Sequence, residues 1–451
     1  MFVATRKRLP DAPELATQHR VNTTDRNSQE TSFAEEAARF DAADPLAPLR
    51  AEFLRPVAAD GRPILHFAGH SLGLQPRLAR EAVLEVLDDW ATLGVEGHFA
   101  ARRPWLSYHE LLTEATARLV GAQAEEVVVM NTLSVNVHLM MVSFYRPTPK
   151  RFRILIEGGA FPSDRYAVAS QAQFHGFDPE VAIQELTPRP GETTLRDEDI
   201  LATIAQDGEH IALILLGNCN YLTGQRFDMA AITRAGHAQG CHVGFDLAHG
   251  AGNLLLNLHD DGPDFAVWCN YKYLNAGPGG LGGVFVHQRH LGRSDIPRFA
   301  GWWGHDKASR FQMGPHFQPM PTAEAWQLSN PPILALAALR ASMALFDAAG
   351  MPALTQKAAW LTDFLARQLL TLPPEAVTLM TPTEPHRRGT MLTIRVPGQA
   401  DQLVAFLQRH GAEVDLRRPD IVRIAPVPLY TSAGDVAALG VLLRAFWGID
   451  V

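Results

Sequence analysis

Residues 244–285 read GFDLAHGAGNLLLNLHDDGPDFAVWCNYKYLNAGPGGLGGVF. The apolar run at 241–245 predicts a buried strand that closes on an acid, Asp246. Lys272 comes 26 residues later (272 − 246), flanked by Tyr271 and Tyr273 and leading into a Gly/Pro-rich turn. An acid at a strand end and a lysine before a glycine-rich turn suit pyridoxal phosphate. That cofactor needs a lysine amine for a Schiff base and an acid to keep its pyridine nitrogen protonated. Spacing alone fits a solvated loop lysine equally well.

Upstream, strand patterns alternate with helical ones. Residues 126–130 predict a buried strand, and NTLSVN (131–136) turns it into a helix running to 144. Such a switch offers free N–H groups and small hydroxyls to a phosphate. An ordinary turn capped by Asn131 or Thr132 fits the same residues. Residues 152–157 form the next strand, followed by AFPSD (160–164), where Ser163 and Asp164 can cap a helix. Phe161 there is either a flat lid on an aromatic ring or a core side chain. A strand at 211–216 precedes GNCNYLTG (217–224) and a helix at 227–239. This rhythm predicts an α/β fold with a mainly parallel sheet and ligands at the carboxyl ends of its strands.

Nearer the N-terminus, Thr31 or Ser32 can cap a helix at 34–40, and a strand-like run at 64–68 leads into GHSLGLQP (69–76). Glycines there allow a backbone turn to approach a ligand closely. Helices are expected at 76–93 and 105–119. On the other side of the central stretch, GWWGH (301–305) and WQLSNPP (326–332) precede a helix at 333–349. Helices at 353–370, 400–411 and 432–446 then interleave with strands near 377–381, 390–396, 413–416 and 421–425, an α+β module.

The 451 residues exceed one ordinary core, so two domains are expected. With 47% hydrophobic and 20% charged residues and a net charge of −8, the chain reads as soluble, with neither nucleic acid nor membrane as partner. Residues 1–30 are polar, which predicts a disordered tail and no secretory signal. Cys219, Cys241 and Cys269 lack metal-ligand spacing, so no metal site is expected. They read as buried, reduced thiols of a cytoplasmic protein.

GHSLGLQP, GHFAARRPW, NTLSVNVHLM, FPSD, FDLAHGAGN, YKYLNAGPGG, GWWGH, SNPPI and RIAPVPLY, in this order, resemble the kynureninase family. The resemblance runs from about residue 44 to the C-terminus. It implies a fold-type I pyridoxal 5'-phosphate enzyme, with a large α/β domain around a mainly parallel seven-stranded sheet and a smaller C-terminal α+β domain. On that basis a disordered tail (1–30) and an arm (31–70) precede the large domain (71–325) and the small one (326–451). The implied activity is hydrolysis of L-kynurenine or 3-hydroxy-L-kynurenine to L-alanine and anthranilate or 3-hydroxyanthranilate, by a homodimer, in tryptophan degradation or NAD biosynthesis.

By the same resemblance Lys272 is the Schiff-base lysine and proton carrier, and Asp246 partners the pyridine nitrogen. His249 belongs to the cofactor pocket, Phe161 stacks on the ring, and Asp164 is the polar group beside it. Leu133, Ser134 and Tyr271 cradle the phosphate, and Tyr271 is also a proton donor. Trp302 and Asn330 reach the cofactor across the dimer interface. Arg423 grips the substrate carboxylate, Ser71 contacts substrate, and His98 and Asn330 lie near its aromatic ring, favouring the 3-hydroxylated form. Two positions depart from the family: His70 stands where Asn is frequent, and Gly217 where a hydroxyl side chain is usual, a loss that Asn218 or a water would offset. Other class V-type enzymes, an aminotransferase or a lyase such as a cysteine desulfurase, and a non-catalytic cofactor-binding protein remain alternatives.

Overall fold

Runs dense in Val, Ile, Leu and Phe build the central sheet of the computed structural model, which describes residues 24–449. The strands are β1 (Val127–Met130), β2 (Arg153–Glu157), β3 (Ile183–Leu186), β4 (Ile211–Gly217), β5 (His242–Asp246), β6 (Phe265–Cys269) and β7 (Gly282–Val286). They are ordered β1-β7-β6-β5-β4-β2-β3. Strands β2 to β6 pair in parallel, whereas β7 runs antiparallel to β6 and β1. Almost every side chain of β1, β4, β5, β6 and β7 is buried, as a sheet covered on both faces requires. Gly217 of β4 lies opposite Asp246 of β5, so the acid closes its strand at the sheet's carboxyl edge.

The C-terminal part folds around a four-stranded antiparallel sheet of β8 (Thr378–Leu379), β9 (Leu392–Arg395), β10 (Asp415–Arg417) and β11 (Ile421–Ile424), ordered β8-β9-β11-β10. Its helices are Met351–Leu369, Ala400–Arg409 and Ala433–Phe446. Ser432 caps the last with a reciprocal Ser432–Asp435 box.

The two cores do not divide at the expected residue 326. In the helix Ile333–Ala349, Leu336, Leu339, Met343 and Phe346 share a core with Ala79, Val86 and Leu112 of the large domain. The small domain's own core starts with Leu361, Phe364 and Leu365. Gly350, at φ +74°, ends the first helix, and the next leaves at 82°. Among the described residues no single helix is long and apolar enough to cross a membrane.

The arm packs on both cores: Leu46 and Phe53 join the larger one, while its two ends lie on the small domain. Residues 1–23 of the expected tail lie outside the described residues, and 24–30 open the helix Thr24–Ala43. This helix also runs beyond the expected 34–40, because its apolar side has a surface to cover: Phe40 stacks on Trp360 at 3.7 Å and Phe33 meets Phe364 edge-on at 5.7 Å. Ala37 and Phe67 enter the small-domain core. Asp44 pairs with Lys357 at 2.7 Å, both side chains about 5% exposed. Leu65–His66 pairs in parallel with Ala412–Glu413, and Ala68 bridges to Ala425. That seam carries residues 69–73 onto the carboxyl edge of the large sheet, where the Gly73 N–H donates to the Tyr271 carbonyl at 3.0 Å.

Candidate active site

Asp246 is buried at the end of β5, its Oδ1 accepting the Ala248 N–H at 2.7 Å. Asp164, in the first turn of the helix Pro162–Phe174, hydrogen-bonds to it. Burial, Asp246 and Glu157 together push the Asp164 carboxyl well above the usual range. Burial also raises Asp246, but the Ala248 N–H, Lys272 and the bond from Asp164 favour its charged form. Of the two, Asp164 is therefore the more readily protonated, and Asp246 the better acceptor. Among the described residues no lysine or arginine is hydrogen-bonded to Asp246, so a protonated ring nitrogen matches the charge left there.

Lys272 sits in the connection between β6 and β7. The turn closes through the Asn275 N–H on the Lys272 carbonyl at 3.1 Å, with Asn275 in the left-handed region at φ +53°. Lys272 Nζ lies 3.2 Å from His249 Nε2. Burial first, then the nearby cations Lys272 and Arg423, hold the His249 ring neutral, so it accepts from the ammonium. Among the described residues its Nδ1 has no hydrogen-bond partner. Burial and Cys269 keep the Tyr271 hydroxyl protonated.

The helix Leu133–Phe144 starts without a side-chain cap. Asn131, at φ +48°, donates to Asn136 instead, and Thr132 makes no cap bond. Its first-turn N–H groups thus keep no side-chain acceptor and suit an anion. Ser134 Oγ is 2.7 Å from Ser163 Oγ, setting two hydroxyls side by side. Phe161 is 42% exposed, not a core side chain, and meets the Tyr221 ring edge-on at 5.3 Å.

Leu133, Ser134, Phe161, Asp164, Asp246, His249, Tyr271 and Lys272 all line one cavity of ≈ 190 Å³. An anion-binding helix end, a flat apolar face, an acid pair and an amine are the complement of pyridoxal phosphate. Arg423 flanks the cavity behind Tyr221, which lines it. The arginine is buried on β11, opposite Asp415 of β10. Its Nε and an Nη donate to Asp415 Oδ2 at 2.7 and 2.6 Å, and its other Nη donates to the Tyr221 carbonyl at 2.6 Å.

Four expected residues lie elsewhere on their own chain. Ser71 lines a separate groove of ≈ 920 Å³, along with Leu72, Asn275 and Asp415. His98 packs edge-on against Trp105 at 5.4 Å, the Trp302 indole donates to the Arg310 carbonyl at 3.1 Å, and Asn330 is exposed. Phe311 lies 6.4 Å from Phe99 and 5.4 Å from Trp302, giving one partly exposed aromatic face.

Glu157, at the end of β2, lines the cavity and was not among the expected residues. Its carboxylate accepts the Gly217 N–H at 2.6 Å and the Asn220 amide at 2.5 Å, while burial pushes it up to about 7. Its signal is in the sequence: RILIE closes on an acid as HVGFD does. Asn218 does not compensate for Gly217, because its amide packs against Gly250. Gly69 and Gly73 likewise make room for protein, since a Cβ would meet the Tyr430 hydroxyl at 2.1 Å and the Lys272 carbonyl at 2.3 Å.

Residues 354–443 match a family model described as the kynureninase C-terminal domain. Its start agrees with a core that begins after Gly350. The chain is 62% identical over 400 residues to the kynureninase of Myxococcus xanthus, covering 89% of this chain and 94% of that one. It is 58% identical over 399 residues to that of Koribacter versatilis, covering 88% and 94%. Solved structures of the same fold include a cystine C–S lyase bound to its product cysteine persulfide, with TM-score 0.72, 20% identity and coverage of 84% and 97%. A cysteine desulfurase from Thermococcus onnurineus matches with TM-score 0.70, 17% identity and coverage of 85% and 94%. Identity this high along nearly the full length of both chains, on a fold-type I scaffold, means that the chain belongs to the kynureninase family of pyridoxal-phosphate hydrolases.

Proposed function

We infer that the cavity around Lys272 hydrolyses the Cβ–Cγ bond of L-kynurenine or 3-hydroxy-L-kynurenine, releasing L-alanine and the matching anthranilate. The observation that carries this reading is the Lys272–His249 contact at 3.2 Å, in the same cavity as the Asp164–Asp246 pair. Bound there, pyridoxal phosphate supplies an imine carbon and an electron-withdrawing ring that weaken the bonds around the substrate's α- and β-carbons. Asp246 holds a proton on the ring nitrogen, and neutral Asp164 fixes the orientation of Asp246. Leu133, Ser134 and Tyr271 hold the phosphate, and Phe161 covers the ring face.

Lys272 takes the substrate's α-proton, with His249 steering the amine. Arg423 grips the α-carboxylate through the fork that Asp415 orients. Water adding to the γ-carbonyl carries that carbon away as the anthranilate carboxylate, and Tyr271, kept protonated by burial, would give a proton to the β-carbon left on the alanine fragment. The partly exposed aromatic face supports a homodimer in which Trp302 and Asn330 reach the cofactor of the neighbouring site, while His98 and Asn330 read the substrate's ring, with the 3-hydroxylated form preferred. Ser71 touches the substrate from the groove beside Asp415. A place in tryptophan degradation fits this substrate, and three buried, free thiols support a cytoplasmic setting.

A desulfurase reading lacks its nucleophile. All three cysteines are buried, and burial pushes Cys219 up to about 12 and raises Cys241 and Cys269. The test is turnover of both kynurenines with added pyridoxal phosphate, quantifying alanine and the aromatic product. Stoichiometric release of both supports the reading. Substrate consumed into a keto acid, or not at all, overturns it.

A further inference from the structure

His70 is fully buried, yet among the described residues neither ring nitrogen has a hydrogen-bond partner. Such a group in a well-packed protein calls for an explanation, because an unpaired buried polar atom is costly. The surroundings supply one. On one side Nε2 stands 3.9 Å from Asp415 Oδ2, too far for a hydrogen bond, and that carboxylate holds Arg423. On the other, the ring centre is 6.4 Å from that of His249, which touches Lys272. His70 therefore bridges the carboxylate clamp and the amine.

An α-amino acid bound between Lys272 and Arg423 has its α-carbon and carboxylate in this span. The Ala68–Ala425 bridge fixes the distance, since it joins the chain two residues before His70 to the strand that carries Arg423. Burial first, then Arg423 and more weakly Lys272, keep the imidazole neutral against the pull of Asp415, its pKa lowered to about 3. A neutral ring keeps one N–H donor and one acceptor nitrogen and adds no charge to compete with Arg423.

We propose that His70 is a positioning residue for the amino-acid end of the substrate, donating one hydrogen bond to the α-carboxylate held by Arg423. The proposal rests on the functional reading above and adds a contact that the seam between arm and small domain creates. In this role the imidazole confines the carboxylate to one rotamer of the clamp, and the benefit falls on binding.

The test uses the holoenzyme with His70→Asn and His70→Phe. Asn keeps a donor, whereas Phe keeps the ring's bulk and removes both nitrogens. For each variant, KM and kcat on kynurenine, the dissociation constant of L-alanine from the cofactor's absorbance, and that of pyridoxal phosphate are measured. His70→Phe is expected to raise KM and weaken L-alanine about tenfold, with kcat and cofactor affinity within threefold. His70→Asn is expected to recover most of the loss. Unchanged L-alanine binding in His70→Phe, or equal losses in both variants, overturns the proposal and leaves a packing residue. If the unmodified enzyme fails to cleave kynurenine, the substrate reading fails, and the L-alanine comparison still decides the role of His70.

Discussion

Glu157 covers Gly217: its Oε1 accepts the Gly217 N–H at 2.6 Å and lies 2.7 Å from where a Cβ at that residue would stand. The acid thus occupies the space that a hydroxyl-bearing residue at 217 would enter. Burial lifts it from the ordinary 4.5 to about 7, so the folded state holds its proton where the unfolded state has released it. The stability this gives is complete below about pH 4.5 and is lost as pH rises to about 7. Glu157→Gln is expected to flatten the apo-protein's unfolding free energy against pH across that window, by up to roughly 3 kcal/mol. Parallel slopes in urea titrations of the two proteins would refute it.

Lys272→Ala removes the amine while leaving its turn tied by Asn275. Turnover is expected to fall by at least about 10³-fold. The far-ultraviolet circular dichroism should stay the same, and borohydride should no longer fix the cofactor to the chain. Full turnover would overturn the catalytic assignment.

Arg423→Lys keeps a cation and loses the planar fork on Asp415 and Tyr221. The expected loss is about 1.5–3 kcal/mol, read as a roughly 10- to 100-fold rise in KM. Asp415→Asn should move KM in the same direction by less, because Tyr221 still holds the guanidinium.

If Asn330 acts across a dimer interface, two inactive variants complement each other. Lys272→Ala and Asn330→Ala, unfolded together and refolded as a mixture, are expected to regain about a quarter of normal activity, because half the dimers then hold one intact site. No regain, or a monomer of full activity by sedimentation, rules out the shared site.

Lys357→Met strands Asp44 in a buried position and is expected to cost about 3–5 kcal/mol in chemical denaturation. Arg293→Met breaks an exposed pair with Asp295 and should leave the denaturation midpoint nearly unchanged.

What the sequence made legible followed physical contrast. Asp246 and Lys272 stood out because a charge beside a buried strand or a glycine-rich turn is conspicuous. Phe161 was ambiguous, since a lid and a core aromatic look alike until exposure is known. The pattern of the helix Ile333–Ala349, apolar enough to serve either core, could not say on which side of a limit it lies, and its shared core with Ala79 and Val86 puts it with the large one. The strand Ile183–Leu186, half polar at the sheet's edge, carried too weak a pattern to be read. Asp415 escaped because an acid's partner across the fold leaves no local trace, whereas Glu157 closes its strand as Asp246 does and could have been read the same way.

The arm that pairs with Ala412–Glu413 and lends Phe67 to the small-domain core is made first and docked last. More than three hundred residues must leave the ribosome before it meets its partners, a long loop to close. Most of the large core is made earlier, its helix Ile333–Ala349 arriving just before the small domain begins, although Met391, Ala425, Val427, Leu429 and Tyr430 complete it only later. Assembly of the Arg423 side of the cavity is thus a late, chain-spanning event. A ribosome stalled short of the last helices would carry a large domain with Lys272 in place, while the nascent arm still lacked its seat.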